Sequence, residues 1–379
     1  MNTRPLVFMW ENFGPMHIDR CVAVAKHFGG TRKVIGIELA GRSDTYDWEQ
    51  ADSLGFVKYT LFPGATVADV SDVKVLWALL RTSIAIGSAD FFFCRYEKSS
   101  TLITAVLLRL LGRSTFTMND SKFDDKPRNI WKELLKSFYF VPYSGALVAS
   151  RRAGEYLEFL HFSKEEIAFG YDAISVGRIR EQAGVPPAPG GEDFRSRHFS
   201  VVARMVPKKN LFVVLEAFAH YTRLTSTPRS LHFCGAGPLE QEVKRRAEEL
   251  GLADLVVFHG SVDSTTVSQI LSKTVALLLL STEEQFGLVI PEALSMGVPV
   301  IASNNCGACD ELVRSGINGF VVEPDNPRGI AYFMDLLGSD SRLWGEMALA
   351  AAEKATLADS DQFAEACAKL TTPIDPIRK

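Results

Sequence analysis

The sequence predicts an α/β protein with two doubly wound domains, each built on a parallel sheet, that face a central cleft. Short apolar runs alternate with segments of helical period, which is typical of parallel sheets wrapped by helices. The alternation starts again after residue 197, behind the Pro- and Gly-rich stretch GVPPAPGGEDFRSR. We therefore predict a first domain, a linker, a second domain and a C-terminal helix that crosses back to the first domain, at 1–180, 181–197, 198–355 and 356–379.

The predicted strands are apolar runs, and the segments between them have helical period. In the first half the strands are LVFMW (6–10), KVIGIELA (33–40), DFFFC (90–94), STFTMN (114–119) and GALVAS (145–150), with helices at 15–28 and 99–111. In the second half they are HFSVVAR (198–204), LHFCG (231–235), LVVFHG (255–260), TVALLLL (274–280) and VPVIAS (298–303), with a helix at 210–221. Because such sheets bind ligands at the carboxyl ends of their strands, the loops after the strands hold the candidate sites.

Composition excludes several classes of protein. The chain has 379 residues, of which 47% are hydrophobic and 23% charged, enough to build full cores. Its net charge of −4 argues against a general nucleic-acid binder. The opening MNTRPLVFMWENFG has no cleavable apolar core, no apolar run reaches the length of a membrane span, and six cysteines favour a reducing compartment. These features predict a cytoplasmic protein.

The stretch EEQFGLVIPEALSMGVPVIAS (283–303) follows a predicted strand. Pro291 is tolerated only in the first turn of a helix, so the helix should begin near Leu288. The amides of 286–289 then lie at the positive end of the helix, where they suit an anion or a sugar. Gly287 allows a ligand to approach the backbone closely.

Two carboxylates flank this turn, at Glu284 and Glu292. A carboxylate accepts two hydroxyl hydrogen bonds, so the pair suits the diols of a ribose or a hexose. The alternative is an acidic residue favoured by the helix dipole together with a solvent-facing glutamate.

Three further segments follow strands of the second half. VARMVPKKN (202–210) places Arg204 and Lys209 where a diphosphate would be a suitable partner; a solvated pair of charges is the alternative. CGAGPLE (234–240) is a Gly-rich turn in which Gly235 and Gly237 would let a ligand reach the backbone. NCGACDELVRSGINGFVV (305–322) adds a later Gly turn followed by an acidic residue.

Together these motifs resemble the nucleotide-sugar domain of retaining GT-B glycosyltransferases of the fourth family (glycosyl transferases group 1), over about residues 198–325. The matches are an E-x7-E motif, an Arg–Lys pair, a G-x-G-P turn and a late Gly-and-Glu element before G-x-N-G. They correspond to Glu284 and Glu292, Arg204 and Lys209, Gly235 to Pro238, and Gly307 and Glu311 before GINGF.

The resemblance implies a hexosyltransferase with two Rossmann-like domains. The first would bind the acceptor, and the second would bind the donor, a sugar linked to UDP or GDP. It implies that Arg204 and Lys209 hold the diphosphate and that Glu284 holds the transferred sugar with the amides of Phe286, Gly287 and Leu288. It also implies ribose binding by Glu292 and base packing by Val257, Phe258 and His259. Similar enzymes retain the anomeric configuration by same-face attack assisted by the departing phosphate, and need no metal or other cofactor.

The loop after the first strand is WENFGPMHIDR (10–20). Relatives usually carry two adjacent glycines there, whereas this chain has only Gly14, assigned to donor binding, followed by Pro15 at the start of a helix. Asn12 and His17 lie at the mouth of that helix and are candidate acceptor contacts. The alternative for His17 is a loop histidine with its hydrogen bonds satisfied.

The loop after STFTMN contains NDSKFDDKPR (119–128). Many relatives place a histidine there near the reacting carbon, and this chain has Asn119, Asp120 and Lys122 instead. We predict that Asp120 takes the place of that histidine and that Asn119 and Lys122 bind the acceptor; the alternative is a helix-initiating cluster. This loop and the stretches NFGPMHIDR, GIELA and Tyr46 to Trp48 resemble sequences of a bacterial subgroup of these transferases. That subgroup is involved in surface polysaccharide or natural-product glycosylation. The expected acceptor is therefore a saccharide, a lipid-linked molecule or a small molecule.

The segment KPRNIWKELLKSFYF (126–140) predicts an amphipathic helix. Its apolar side holds Trp131, Leu134, Leu135 and Phe138, and Lys132 and Lys136 lie off that side. Such a helix either lies on an anionic membrane, giving peripheral contact at the inner face of the plasma membrane, or packs on a core.

No metal site is predicted. Asp359 and Asp361 are expected to cap a helix, and Cys306 and Cys309 form a lone C-x-x-C without a second ligand pair. Besides a transferase, two other functions stay open: a catalytically inactive sugar-nucleotide-binding scaffold, kept open by the altered 119–122 loop, and a sugar-nucleotide 2-epimerase. The epimerase would need acid–base carboxylates and histidines that the first half does not offer.

Overall fold

A computed structural model describes residues 3–43 and 55–372. The strands are β1 (Leu6–Trp10), β2 (Val34–Ala40), β3 (Val57–Phe62), β4 (Asp90–Phe93), β5 (Ser114–Asn119), β6 (Ala146–Val148), β7 (Ile167–Phe169), β8 (His198–Val202), β9 (Leu231–Cys234), β10 (Val256–Phe258), β11 (Thr274–Leu279), β12 (Val300–Ser303) and β13 (Gly319–Val322). The helices are α1 (Pro15–Phe28), α2 (Asp72–Ile86), α3 (Ser99–Leu110), α4 (Ile130–Lys136), α5 (Arg151–Leu160), α6 (Val176–Ala183), α7 (Leu211–Tyr221), α8 (Glu240–Glu249), α9 (Ser264–Ser272), α10 (Val289–Ser295), α11 (Cys309–Leu312), α12 (Pro327–Ser339), α13 (Ser341–Lys354) and α14 (Ser360–Thr371). The segment Tyr46 to Trp48, which contributed to the predicted subgroup, lies outside the described residues.

The first compact unit contains the described residues up to 123, residues 127–173 and those from 360 onward. Its seven-stranded sheet has the order β3-β2-β1-β4-β5-β6-β7, and its strand pairs are parallel. The central strands β1 and β4 are entirely buried, as their continuous apolar sequences require. The C-terminal helix α14 packs against α1 in this unit.

The second unit contains residues 124–126 and 174–359. Its six strands are parallel in the order β10-β9-β8-β11-β12-β13. Strand β11 lies centrally and is buried along its whole length. Both sheets are thus doubly wound, and the predicted α/β class with two Rossmann-like domains is confirmed.

The Pro- and Gly-rich stretch predicted as a linker is folded into the second unit. Helix α6, which begins before it at Val176, packs against α9. The Ala188 amide donates to the Met296 carbonyl at 2.8 Å, and the buried Arg197 guanidinium donates to the Ser272 carbonyl at 2.9 Å. A high density of proline and glycine therefore marks irregular backbone here and not a loose connection, and the first unit ends near residue 173 instead of 180.

Among the helices described, none combines the length and the apolar character needed to cross a bilayer.

Candidate functional site

The loops after β8 and β11 bring two predicted site residues into direct contact. The Lys209 ammonium donates to Oε2 of Glu284, and the two side chains are 14% and 12% exposed. The same carboxylate oxygen accepts from the Ser281 hydroxyl at 2.9 Å. This arrangement places a cation and a hydrogen-bonding carboxylate together at the carboxyl edge of the second sheet, where such sheets bind ligands.

Local backbone geometry positions Lys209. It ends a short 3-10 turn, Pro207–Lys209, and the next residue, Asn210, adopts a left-handed conformation with φ of 55° before α7 begins. Asparagine tolerates this conformation better than most residues. Its side-chain amide donates to the Pro324 carbonyl at 2.8 Å, which fixes the turn in place.

The Glu284 loop is tied to the same turn. The Thr282 amide donates to the Lys208 carbonyl at 2.9 Å, so the two loops are joined next to the ion pair. Gly287 has φ of 100°, a conformation that favours glycine, and helix α10 begins at Val289 with Leu288 as its N-cap. The predicted start of this helix is therefore confirmed. The Phe286 side chain is buried, so only its backbone could face a ligand.

The glycines of the 235–238 turn have a structural reason that the sequence did not reveal. A Cβ on Gly235 would lie 2.1 Å from the Ala203 carbonyl oxygen, and one on Gly237 would lie 2.6 Å from that of Met205. The Met205 amide also donates to the Ala236 carbonyl at 2.9 Å. The turn thus packs directly on the backbone after β8, and close packing between these two loops, not only approach of a ligand, requires glycine.

The remaining predicted donor-binding residues lie in the same unit. Arg204 and Glu292 are both partly exposed. Val257, on β10, is exposed, Phe258 stacks on Phe233, and the His259 ring is hydrogen-bonded to His232 at 3.1 Å. The structure therefore directs the Phe258 ring toward the core, whereas Val257 offers an exposed side chain.

The loop from 304 to 309 lies against the Glu284 loop. Glu284 and Cys306 form a backbone bridge, and the Ala308 amide donates to the Phe286 carbonyl at 3.0 Å. The hydrogen bond with Cys309, followed by burial, raises the pKa of the Cys306 thiol well above its ordinary value. The Cys306 and Cys309 side chains are both buried within this loop.

The G-x-N-G motif forms a turn. The buried Asn318 side chain accepts from the Arg314 amide and donates to the Leu312 carbonyl, each at 2.7 Å. A Cβ on Gly319 would lie 2.2 Å from the Val300 carbonyl oxygen, where β13 pairs with β12. Glu311, on α11, is exposed.

In the first unit, three predicted residues hold the loop after β1. The Asn12 side-chain amide donates to the carbonyls of Ala40 and Arg42, at 2.6 and 2.9 Å. The Gly14 amide donates to Nδ1 of His17 at 3.0 Å, which caps α1. Burial, together with the Arg20 guanidinium, lowers the pKa of His17 well below its ordinary value, so the imidazole is neutral.

The loop after β5 holds the other three. Asn119 is buried and its Oδ1 accepts from the Ser121 amide at 2.9 Å, while Asp120 is partly exposed. Among the described residues, Nδ2 of Asn119 is a buried donor without a hydrogen-bond partner. Lys122 is 1% exposed, so an acceptor could reach its ammonium only after a neighbouring segment moves.

Two residues of these sheet edges were missed by the sequence analysis. Arg95, after β4, adopts φ of 60° and pairs with Glu11 at 2.7 Å. Such a conformation in a non-glycine residue is frequent at functional sites. Nothing in the sequence signals it. Ser281 could have been found, because it follows β11 directly and precedes the acidic loop.

Doubly wound α/β domains with polar loops at the carboxyl edges of their sheets are typical of enzymes that bind nucleotides. Residues 190–356, which lie within the second unit, match the family model for glycosyl transferases group 1. This stretch contains Arg204, Lys209, Glu284 and Glu292, the residues from which the resemblance to that family was inferred.

The chain is also similar to curated proteins over part of its length. The chain is 33% identical over 118 residues to N-acetyl-alpha-D-glucosaminyl L-malate synthase of Bacillus anthracis, covering 31% of this chain and 30% of the relative. It is 32% identical over 139 residues to D-inositol 3-phosphate glycosyltransferase of Streptomyces griseus, covering 36% of this chain and 29% of the relative. The alignments thus span less than a third of each relative's length.

Solved structures support the fold over nearly the whole chain. Anabaena HepE in complex with UDP superimposes with a TM-score of 0.70 at 15% identity, covering 96% of this chain and 98% of that one. Sucrose-phosphate synthase of Thermosynechococcus elongatus gives a TM-score of 0.72 at 16% identity, covering 97% and 98%.

Proposed function

We propose that the protein is a glycosyltransferase that moves a sugar from a nucleotide-diphosphate sugar to an acceptor hydroxyl. The observation that carries the proposal is the contact between Lys209 and Glu284, supported by Ser281. A site for a sugar diphosphate needs a cation for the phosphates and a carboxylate for the sugar hydroxyls, and these two loops bring both together.

Each residue has a role in this proposal. Lys209 and Arg204 bind the diphosphate, and Glu284 accepts hydrogen bonds from the transferred sugar. Glu292 accepts from the ribose, and the exposed Val257 contacts the base. UDP is the first nucleotide to test, because the Anabaena neighbour is a complex with UDP.

The proposed reaction retains the anomeric configuration and needs no metal. The bond from the anomeric carbon to the phosphate oxygen breaks while the acceptor oxygen bonds to the same face of that carbon. The acceptor proton passes to the departing phosphate, and the nucleoside diphosphate leaves. Lys209 and Arg204 stabilise the negative charge that develops on this leaving group.

The first unit supplies the acceptor site in this proposal. Asn119, the last residue of β5, and Asp120 are neighbours in sequence, and in this proposal they orient the acceptor hydroxyl. The acceptor class in this proposal is a saccharide, a lipid-linked molecule or a small molecule, and the proposed location is the cytoplasm.

A thermal-shift panel of UDP, GDP, ADP, TDP and CMP tests the donor site. A ligand at about a hundred times its dissociation constant stabilises a protein by nearly 3 kcal/mol, which is easily detected. We expect one nucleoside diphosphate to raise the melting temperature, with and without chelator. No shift with any of them would contradict donor binding.

Turnover then tests the assignment of Glu284. With the nucleotide identified, Glu284→Ala should reduce release of that nucleotide from its sugar conjugates roughly a hundredfold or more. Glu283→Ala is the matched control, because Glu283 is an exposed neighbour in the same loop. Equal activity of the two variants, or a rate that chelator abolishes, would overturn the proposed mechanism.

A further inference from the structure

The first unit carries a helical face on which apolar side chains are exposed. It comprises α2, α3 and residues 130–141, and we refer to it as the apolar face. Its most exposed members are Leu110 at 78%, Trp131 at 73%, Trp77 and Phe138 at 68% each, and Leu135 at 66%. Soluble monomers seldom expose so many large apolar side chains in one region unless the region binds something.

The topology places these elements on the same side of the sheet. Right-handed crossovers from β3 to β4, from β4 to β5 and from β5 to β6 put their helical segments on one face. Helix α2 packs against α3. Residues 130–141 are anchored beside the start of α3, because the Phe140 ring lies 4.5 Å from the Tyr96 ring.

Helix α4 is inverted relative to an ordinary surface helix. Its Glu133 is only 7% exposed, and the carboxylate accepts from the Tyr156 hydroxyl and from Arg128 at 3.3 Å. Lys136 lies over the Tyr156 ring at 4.9 Å. The polar side of the helix thus faces the protein, and Trp131, Leu134 and Leu135 face outward. The buried charges are paired with one another, so the feature that calls for a partner is the exposed apolar stripe.

The exposed charges on the apolar face are basic with one exception. The basic residues are Lys74, Arg81, Arg109 and Lys132. The exception is Asp72, whose carboxylate accepts hydrogen bonds from the Ser100 amide and hydroxyl at 2.9 and 2.6 Å. A second copy of this chain would bring like charges together. Anionic lipid headgroups would pair with these cations, and tryptophan and phenylalanine are suited to the region just below the headgroups.

We propose that the apolar face binds the surface of an anionic lipid bilayer, with Trp131 and Phe138 inserted below the headgroups. This contact does not depend on the proposed transferase activity, because it uses none of the residues assigned to donor or acceptor. It can therefore be tested without any sugar nucleotide.

The test is co-sedimentation of the full chain with vesicles of phosphatidylcholine alone or with one third phosphatidylglycerol. We expect binding to the anionic vesicles, weakened by salt, and a loss of about tenfold or more in the variant Trp131→Ser/Phe138→Ser. The matched control is Tyr332→Ser/Leu349→Ser, two similarly exposed apolar residues of the second unit, which should bind like the wild type.

A second pair of variants tests the charge independently. Lys132→Glu/Arg109→Glu should weaken binding to anionic vesicles, and Lys26→Glu, on helix α1 of the opposite side, should not. Circular dichroism and melting temperature identify any variant that fails to fold. The proposal is overturned if the wild type ignores anionic vesicles, if the control variants lose binding equally, or if the chain dimerises without lipid and Trp131→Ser/Phe138→Ser abolishes the dimer.

Discussion

Replacement of Lys209 by alanine tests the candidate site most directly, because one side chain contributes to both stability and chemistry. In the folded protein its ammonium donates to Glu284, which is 12% exposed. Removing a partner from a fully buried ion pair costs about 3 to 5 kcal/mol, because the other charge is left unpaired. Here the Ser281 hydroxyl still donates to the carboxylate, so we expect a cost of about 2 kcal/mol.

This loss predicts a measurable change in melting. For a unit of 150 to 250 residues, 1 kcal/mol corresponds to roughly 2 to 4 °C, so the second unit of Lys209→Ala should melt about 4 to 8 °C lower. In the double variant Lys209→Ala/Glu284→Ala neither charge is left without a partner. We therefore expect the double variant to regain at least half of the lost stability, giving a coupling energy well above 0.5 kcal/mol.

Activity should behave differently from stability in the same series. If Lys209 stabilises the leaving diphosphate, its loss reduces turnover roughly a hundredfold or more, equivalent to about 2.7 kcal/mol of transition-state stabilisation. The double variant should stay as inactive as the single variants although its fold is restored. Lys208→Ala, in the same turn, is the matched control and should keep near-normal turnover. Additive stability effects would refute the ion pair, and turnover within a few fold of wild type in Lys209→Ala would refute its catalytic role.

Two further predictions concern the second unit. Gly319→Ala should lower the free energy of unfolding by more than about 3 kcal/mol or prevent folding, because its Cβ would lie 2.2 Å from the Val300 oxygen. The control Gly251→Ala, whose Cβ would have no atom within 4 Å, should cost about 1 kcal/mol in urea unfolding. Equal costs would contradict the backbone contact at Gly319. Burial and His232 lower the pKa of His198 to about 3, so the unfolded chain, with a histidine pKa near 6.5, binds more protons as the pH falls below 6.5. His198 alone should therefore lower the free energy of unfolding by about 1 to 2 kcal/mol between pH 6.5 and 5, and His198→Gln should remove that share of the pH dependence in urea unfolding.

The sequence predicted the buried strands well because each is a continuous apolar run. Strand β1 has the predicted bounds, and β11 differs from its predicted run by one residue. The edge strands β3, β7 and β13 were missed. Strand β3 is partly or fully exposed and includes Lys58 and Thr60, so its pattern is hard to distinguish from that of a loop. Strands β7 and β13 are largely buried, but they have only three and four residues.

The candidate site was predicted in its residue types but not in its contacts. Motif spacing selected Lys209 and Glu284, and the structure places them in contact across two loops. Spacing could not show that Gly235 is required by the Ala203 backbone, because that contact joins residues distant in sequence. Nor could it show Arg95, whose left-handed conformation depends on the surrounding fold.

Helix α4 shows why amphipathic periodicity alone cannot assign a surface. The pattern correctly separated Trp131, Leu134 and Leu135 from Lys132 and Lys136, yet a period of 3.6 residues fixes only the angle between the two sides. Which side turns inward depends on tertiary partners, and here the Tyr156 hydroxyl, with Arg128 and Lys136, holds Glu133 against the protein. The core-packing alternative therefore does not hold for Trp131, Leu134 and Leu135, which are exposed, and their contact with a lipid surface stays a proposal.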